Sequence, residues 1–451
     1  MGPIIRSLSP FTGAPDVPHS LSAPLRAAAI LSVALLGTTG AEESALLPKA
    51  RVAIVGDSIT EQKLYSKYVE CWLLACSGVP DVRVMQFGWG GETAGGFANR
   101  ADNDLAVFGP DIVTLCYGMN DGGYQPWRSE IGTAYDANMR RVLDRLDALG
   151  VKSVVVGSPG AVDTNFFRPG QTMADKPAHV AYNDNLAHLR DIDRSLATEK
   201  GQRFADVHAA MVDAMTKANG SLGAKYDVCG GDGFHPGPNG QLLMAYAFLK
   251  GLGVDGSIGD ISVDLAAGAA QATPGQKVTG IKKEGSVATV ALSSTRWPFC
   301  FEGDSSSSNG TRSILPFVPF NDDLNRYQLR VTGLQTPAAK VTWGSETKTF
   351  TKDQLAAGVN LAAEFPRTPF DEPFAHFQAA IAEKQNYETF MIKQIVTDFR
   401  LIPNISTDTE AQAAAKVLSG KLLKRWEALD QAARERLVPV DHTIRIEPAA
   451  G

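Results

Sequence analysis

The sequence predicts an α/β fold, a parallel sheet covered by helices on both faces, followed by a second part of different character. Three observations carry this. Between Lys49 and Gly253 short apolar runs alternate with amphipathic stretches of helical period. The first run, Val52–Val55, is wholly apolar, as a strand buried on both faces should be. After Gly253 that alternation stops, and alternating β-type runs give way to Ala-rich helical ones.

In order, strands are expected at Val52–Val55, Val82–Phe87, Ile112–Tyr117, Val151–Val156 and Arg203–Val207. Helices are expected over Glu61–Ser77, with Leu64, Tyr68, Trp72 and Cys76 on one face, and over Ser129–Leu149 and Ala178–Ala197. A last helix opens at Pro236, where proline suits a first turn, and runs to Leu249. Residues 256–275 read as a connection, with a strand at Ile261–Leu265. Residues 276–350 form a small β region with runs at Ser286–Leu292, Tyr327–Val331 and Lys340–Trp343. Residues 351–437 are mainly helical, and His442–Ile446 is a closing strand.

At 451 residues the chain exceeds one ordinary core, and it divides into 1–41, 42–253 and 254–451. Hydrophobic content of 44% with 20% charged residues describes a globular protein. The net charge of −6 and the lack of any basic block argue against nucleic acid as a partner. Arg26, the apolar run Ala27–Leu36 and the small residues up to Ala41 have the pattern of an export signal. That run is shorter than the ~20 residues needed to span a bilayer, so a secreted or periplasmic location is expected and no membrane span. The five cysteines form no disulfide framework, and Cys229 with Cys300 is the one pair worth considering. No CxxC pair or HExxH occurs, so neither a metal nor another cofactor is expected.

Chemistry concentrates at the expected strand ends, where ligands of parallel sheets bind. After the first strand comes Gly56-Asp57-Ser58-Ile59-Thr60, and after the second Gly88-Trp89-Gly90-Gly91-Glu92. After the third comes Gly118-Met119-Asn120-Asp121, and beyond the fifth Asp232-Gly233-Phe234-His235-Pro236. Ester hydrolysis needs a nucleophile, a base, a group to orient the base and donors for the oxyanion. Ser58 can be the nucleophile, His235 the base and Asp232 its partner. Backbone N–H groups of Ser58 and Gly91 and the side-chain amide of Asn120 can hold the oxyanion. A three-residue separation between Asp232 and His235 requires a tight loop, which Gly230, Gly231 and Gly233 permit. The same letters GDS recur at Gly303-Asp304-Ser305, but no apolar strand leads into them.

These four blocks resemble the signature blocks of the SGNH (GDSL) hydrolase family over about residues 50–252. The name-giving residues would be Ser58, Gly91, Asn120 and His235. The resemblance implies a flavodoxin-like three-layer α/β/α sandwich and metal-free serine esterase chemistry. By position it implies Ser58 as nucleophile, His235 as base and Asp232 as its partner. The second block departs from the commonest form, with Gln86 where Asn is frequent and Glu92 where Asp is frequent. The extension is not explained by the core family; its β-then-helical order resembles larger bacterial members.

Trp89, Tyr124 and Trp127 fall in loops beside the expected site. They suit stacking on a sugar ring or lining an acyl pocket, and equally packing against the C-terminal half. His179, His188 and His208 are expected to be structural, Asp57 to shape the turn and Cys116 to be core. Asp227 competes with Asp232 as the partner of His235. The sequons at Asn219, Asn309 and Asn404 matter only in a eukaryotic secretory route. The function expected is an exported serine esterase acting on short acyl, chiefly acetyl, esters, foremost those of carbohydrate, the substrate being a small-molecule or polysaccharide ester. A lipase or arylesterase, or an inactive carbohydrate-binding protein, is the alternative.

Overall fold

Five parallel strands form the central sheet: β1 (Arg51–Gly56), β2 (Arg83–Gly88), β3 (Ile112–Cys116), β4 (Ser153–Gly157) and β5 (Arg203–Ala205). Their order is β2–β1–β3–β4–β5, in a computed structural model that describes residues 44–402 and 408–449. Residues 1–41, read above as an export signal, and the sequon at Asn404 lie outside the described residues. The chain leaves β1 first to one side and later to the other, so the order reverses at β1. That opens a crevice beyond its carboxyl end.

Successive residues of β1 feed two separate cores, as a period of two requires. Val52 and Ile54 join the helices α2 (Tyr65–Cys71), α7 (Val207–Leu222) and α8 (Pro238–Gly251). Ala53 and Val55 join α3 (Ala94–Ala98), α4 (Ala101–Ala106), α5 (Ser129–Ala148) and α6 (Ala178–Glu199) on the other face. The result is the three-layer α/β/α arrangement. One helix is more broken than its period suggests. Instead of Glu61–Ser77 there is α1 (Ser58–Glu61), a turn with Lys63 at φ +58°, then α2 and a π-helical turn, Trp72–Cys76. The break is built in: the Tyr65 hydroxyl meets Thr60 Oγ1 at 2.7 Å, and Gln241 Oε1 accepts the Tyr65 N–H at 2.9 Å.

The extension holds more strand than expected. The stretch read as a connection forms two paired strands, β6 (Ser257–Asp264) and β7 (Ala269–Ala272). Ile261 and Val263 are buried on either side of exposed Ser262, a β alternation that its small residues disguise. Then come β8 (Gln276–Glu284), β9 (Val287–Ser294), β10 (Arg326–Thr332), β11 (Ala338–Trp343), β12 (Glu346–Thr351), β13 (Val359–Asn360) and β14 (Val440–Ala449). They make an antiparallel sheet β8–β9–β14–β11–β12 and a mixed sheet β13–β10–β6–β7. The closing strand is therefore central and not peripheral.

Two long helices, α9 (Asp371–Met391) and α10 (Thr409–Arg434), bring the extension onto the open edge of β2. Backbone groups that would otherwise face solvent are taken by side chains. Lys384 Nζ donates to Val84 O at 2.7 Å, the Gln86 N–H donates to Glu388 Oε2 at 3.0 Å, and Arg434 donates to Val82 O. Lys384 also pairs with Glu388 at 2.6 Å and Glu70 at 2.7 Å, all three fully buried. Burial pushes Glu70 up to about 7 against the pull of Lys384. Burial disfavours the ammonium too, yet Glu388 and Glu70 together hold Lys384 above its ordinary range. Trp426 Nε1 completes the cluster, donating to Glu388 Oε1 at 2.7 Å. Of the apolar stripe on α10, Trp426 and Leu429 dock while Val417 is 60% exposed. The core on the α2 face runs without a break from Leu46 to Ile446, so both halves share it.

Candidate active site

Each of the four sequence blocks supplies one wall of the crevice beyond β1. Gly56 ends the strand where any Cβ would lie 2.7 Å from Cys116 O, so only glycine lets the chain turn there. Asp57 caps α1 by accepting the Ile59 N–H at 2.9 Å, which puts Ser58 in the first helical position. The Ser58 N–H has no intrahelical partner there, as at every helix start. Asp57, and not Ser58, is thus the cap.

Ser58 Oγ lies 2.8 Å from His235 Nε2, and His235 Nδ1 lies 2.7 Å from Asp232 Oδ2. Asp232 Oδ1 accepts the N–H groups of Phe234 (3.1 Å) and His235 (3.0 Å), so the loop folds around its own carboxylate. The glycines make that loop feasible. Gly230 has φ +79° and Gly233 φ +83°, and a Cβ at Gly233 would lie 2.3 Å from Phe167 N. Burial works against ionisation of Asp232, but the His235 bond and the two N–H donors outweigh it and hold the carboxyl below its usual range. His235 Nδ1 thus meets Asp232 and not Asp227, whose backbone carbonyl accepts from Asn239 Nδ2 at 2.7 Å.

Across the crevice, Gly91 is exposed with φ +73°, and a Cβ there would meet nothing within 4 Å. Its N–H has no acceptor among the described residues. Asn120 Nδ2 donates to Glu92 O at 3.0 Å and makes a long 3.4 Å contact with Asp57 Oδ2, so one amide hydrogen is only weakly engaged. The Tyr124 hydroxyl donates to Asn120 Oδ1 at 3.1 Å. Burial, with Asp121 and Glu92 nearby, pushes Asp57 up to about 7 despite the Ile59 N–H. Burial likewise lifts Asp121 to about 6, although the N–H groups of Gly118 and Ala94 partly offset it.

The three loop aromatics differ in surroundings. Tyr124 joins Phe234, Phe167 and Tyr182 in an aromatic wall beside His235, with ring centroids 5.2 Å from both Phe234 and Tyr182. Trp89 lies under two cations, Arg100 at 5.0 Å and Lys393 at 5.2 Å. Trp127 is wedged between α5 and α6, stacked on His188 at 4.3 Å and covering Gly132. Gln86 and Glu92, the two departures from the common block, both have partners. Gln86 donates to Thr389 Oγ1 at 2.5 Å, while Glu92 takes Arg100 Nε at 2.7 Å and the Tyr117 hydroxyl at 2.7 Å. Residues missed by sequence reading are Phe167 and Phe234 of the wall, and Tyr124 as a partner of Asn120. Only Phe234, beside His235, carried a signal. A cavity of about 520 Å³ lined by Val107, Val396, Phe399 and Leu423 lies elsewhere and contains none of these groups.

A second Ser–His contact exists and has the opposite polarity. Buried His442 Nδ1 accepts from Trp343 Nε1 at 3.2 Å, and indole donates only. The hydrogen of His442 is therefore on Nε2, 2.9 Å from Ser294 Oγ, where it cannot take a proton.

Residues 54–243 match the GDSL-like lipase/acylhydrolase family. A gut microbial diltiazem-metabolizing enzyme is similar in structure at 20% identity, with a TM-score of 0.69, over 91% of this chain and 100% of its own. Axe2, an acetylxylan esterase from Geobacillus stearothermophilus, is 23% identical, with a TM-score of 0.37 over 46% of this chain and 96% of its own. LAE5, an alpha/beta hydrolase from the metagenome of Lake Arreo, Spain, is 20% identical, with a TM-score of 0.37 over 46% and 97%. No curated protein matches the chain. At these identities the structural likeness is one of fold. The family match and the α/β/α architecture together identify residues 54–243 as a GDSL-like, or SGNH, hydrolase domain, the ester-hydrolysing serine hydrolase part of the chain.

Proposed function

We propose that the protein is an exported esterase, secreted or periplasmic, that removes short acyl groups, acetyl in particular, from carbohydrate. Ser58 Oγ attacks the ester carbonyl while its proton passes to His235 Nε2. Asp232 holds the imidazole with its hydrogen on Nδ1 and stabilises the imidazolium that forms. The oxyanion accepts from the N–H groups of Ser58 and Gly91 and from Asn120 Nδ2. Collapse expels the alkoxide, which takes the proton from His235; water then repeats the cycle on the acyl-Ser58 intermediate and frees the acid. No metal or other cofactor enters these steps.

The observation that carries this reading is the unbroken line from Ser58 Oγ through His235 to Asp232, at 2.8 and 2.7 Å. The N-terminal signal pattern supports export. The half-exposed rings of Tyr124 and Phe234 support a flat partner such as a sugar. Those rings equally suit an aryl alcohol, so an arylesterase is the second reading. A panel of acetylated sugars against aryl acetates and longer acyl esters separates the two.

Ser58→Ala should abolish turnover of a simple acetyl ester, and a phosphonate should label Ser58 stoichiometrically. Near-wild-type turnover by Ser58→Ala would sink the assignment. An unlabelled Ser58 would point to the binding protein.

A further inference from the structure

The loop that presents Gly91 is fastened to α1 from one side and to the extension from the other. The Trp89 N–H donates to Gly56 O at 3.0 Å, and the Gly90 N–H donates to Glu61 Oε2. Glu61 is the last residue of α1, the helix that begins at Ser58. Both oxygens of Glu61 are held by Lys393 Nζ, at 2.7 and 2.9 Å. Lys393 also stands 5.2 Å from the Trp89 ring centroid, so its charge grips the same loop twice. It reaches there from Ile392–Val396, a π-helical turn at the end of α9, a distortion that recurs at functional sites. The approach is close: a Cβ at Gly90 would lie 2.8 Å from Glu61 Oε2 and 3.8 Å from Lys393 Nζ.

We infer that Lys393 is a positioning residue for the oxyanion hole. It holds the Glu61 carboxylate against the Gly90 N–H and so fixes the direction of the Gly91 N–H. The inference rests on the reading of Gly91 as an oxyanion donor. Two consecutive glycines leave this backbone free to rotate unless something anchors it, and a rotated Gly91 peptide aims its N–H away from the reacting carbonyl. The Gly90 bond to Glu61 anchors one peptide plane. Lys393 in turn keeps a part-exposed carboxylate from swinging into water. Losing an oxyanion donor outright lowers the rate roughly 10²–10³-fold; a donor that remains but is no longer aimed should lose about tenfold. The extension then does more than cover an edge strand, because it supplies a residue to the machinery of the first domain.

The test uses the full chain and p-nitrophenyl acetate, with Lys393→Met, Lys393→Arg, Glu61→Gln and the Lys393→Met/Glu61→Gln double variant beside Ser58→Ala. Expected for Lys393→Met is a kcat about tenfold lower with KM within about twofold. Lys393→Arg should recover most of it, and the double variant should be no worse than Lys393→Met. Melting temperatures should hardly move, since a part-exposed pair contributes little to global stability. Restoration by arginine decides the matter: a kcat loss not restored by Lys393→Arg would mean a structural role and overturn the inference. So would an unchanged kcat in Lys393→Met, or a change in KM alone. Turnover surviving in Ser58→Ala would instead overturn the reading of the site itself.

Discussion

Replacing Asp232 by Asn tests the orienting carboxylate without dismantling its loop. Asp232 Oδ1 accepts two backbone N–H groups, and an asparagine Oδ1 can accept the same two. The amide nitrogen then replaces Oδ2 opposite His235 Nδ1, 2.7 Å away. Two N–H groups cannot face each other, so the ring must move its hydrogen to Nε2. That nitrogen is 2.8 Å from Ser58 Oγ and is the one that has to accept a proton. A positioned general base contributes roughly 10²–10⁴-fold. Because the Asp232 side chain is 46% exposed, water can share its role, and a loss of about 10³ in kcat with little change in KM is expected. The folded state favours the ionised carboxyl. Its stabilisation is therefore present above the unfolded pKa and fades as pH falls through the depressed folded one. At that exposure solvent screening limits the stability loss to below about 1 kcal/mol at neutral pH. Steady-state hydrolysis of an acetyl ester, with thermal unfolding alongside and Asp227→Asn as control, measures both. A kcat within about threefold of wild type, or Asp227→Asn proving the more damaging change, would refute the reasoning.

Lys384→Met should destabilise by about 3–5 kcal/mol, because Glu70 and Glu388 would stay buried without their cation; thermal or urea unfolding near wild type would contradict this. Truncation after Gly256 removes α9 and α10 and bares the β2 edge. The product should aggregate and change substrate preference, and a soluble monomer with unchanged kinetics would show independent halves. Asp57, raised to about 7 by burial, makes the folded state hold a proton the unfolded chain has released. Wild-type stability relative to Asp57→Asn should thus fall as pH rises from about 4 to about 7, by at most ~1.4 kcal/mol per pH unit. Parallel melting profiles of the two proteins across that range would exclude it.

The α/β class and the four blocks were legible in the sequence because both are local. Apolar runs such as Val52–Val55 declare a doubly buried strand, and glycines mark where the chain must turn beside Ser58 and His235. The break of α1 from α2 was not legible, since the bond that starts α2 comes from Gln241, far along the chain. Of β6 only the second half was legible, at Ile261–Leu265, and β7 was not, since the Ser, Gly and Ala residues there gain strand character only from their neighbours. Tertiary structure alone decided the surroundings of the aromatics: Tyr124 beside Phe234, Trp127 sealed against His188, Trp89 beneath Lys393. It also decided that residues past 370 complete the edge of a sheet begun at Arg51, and that Lys393 meets Glu61 across 332 positions. Pairings of that length leave no periodicity or spacing behind, because the residues that make them are neighbours in space alone.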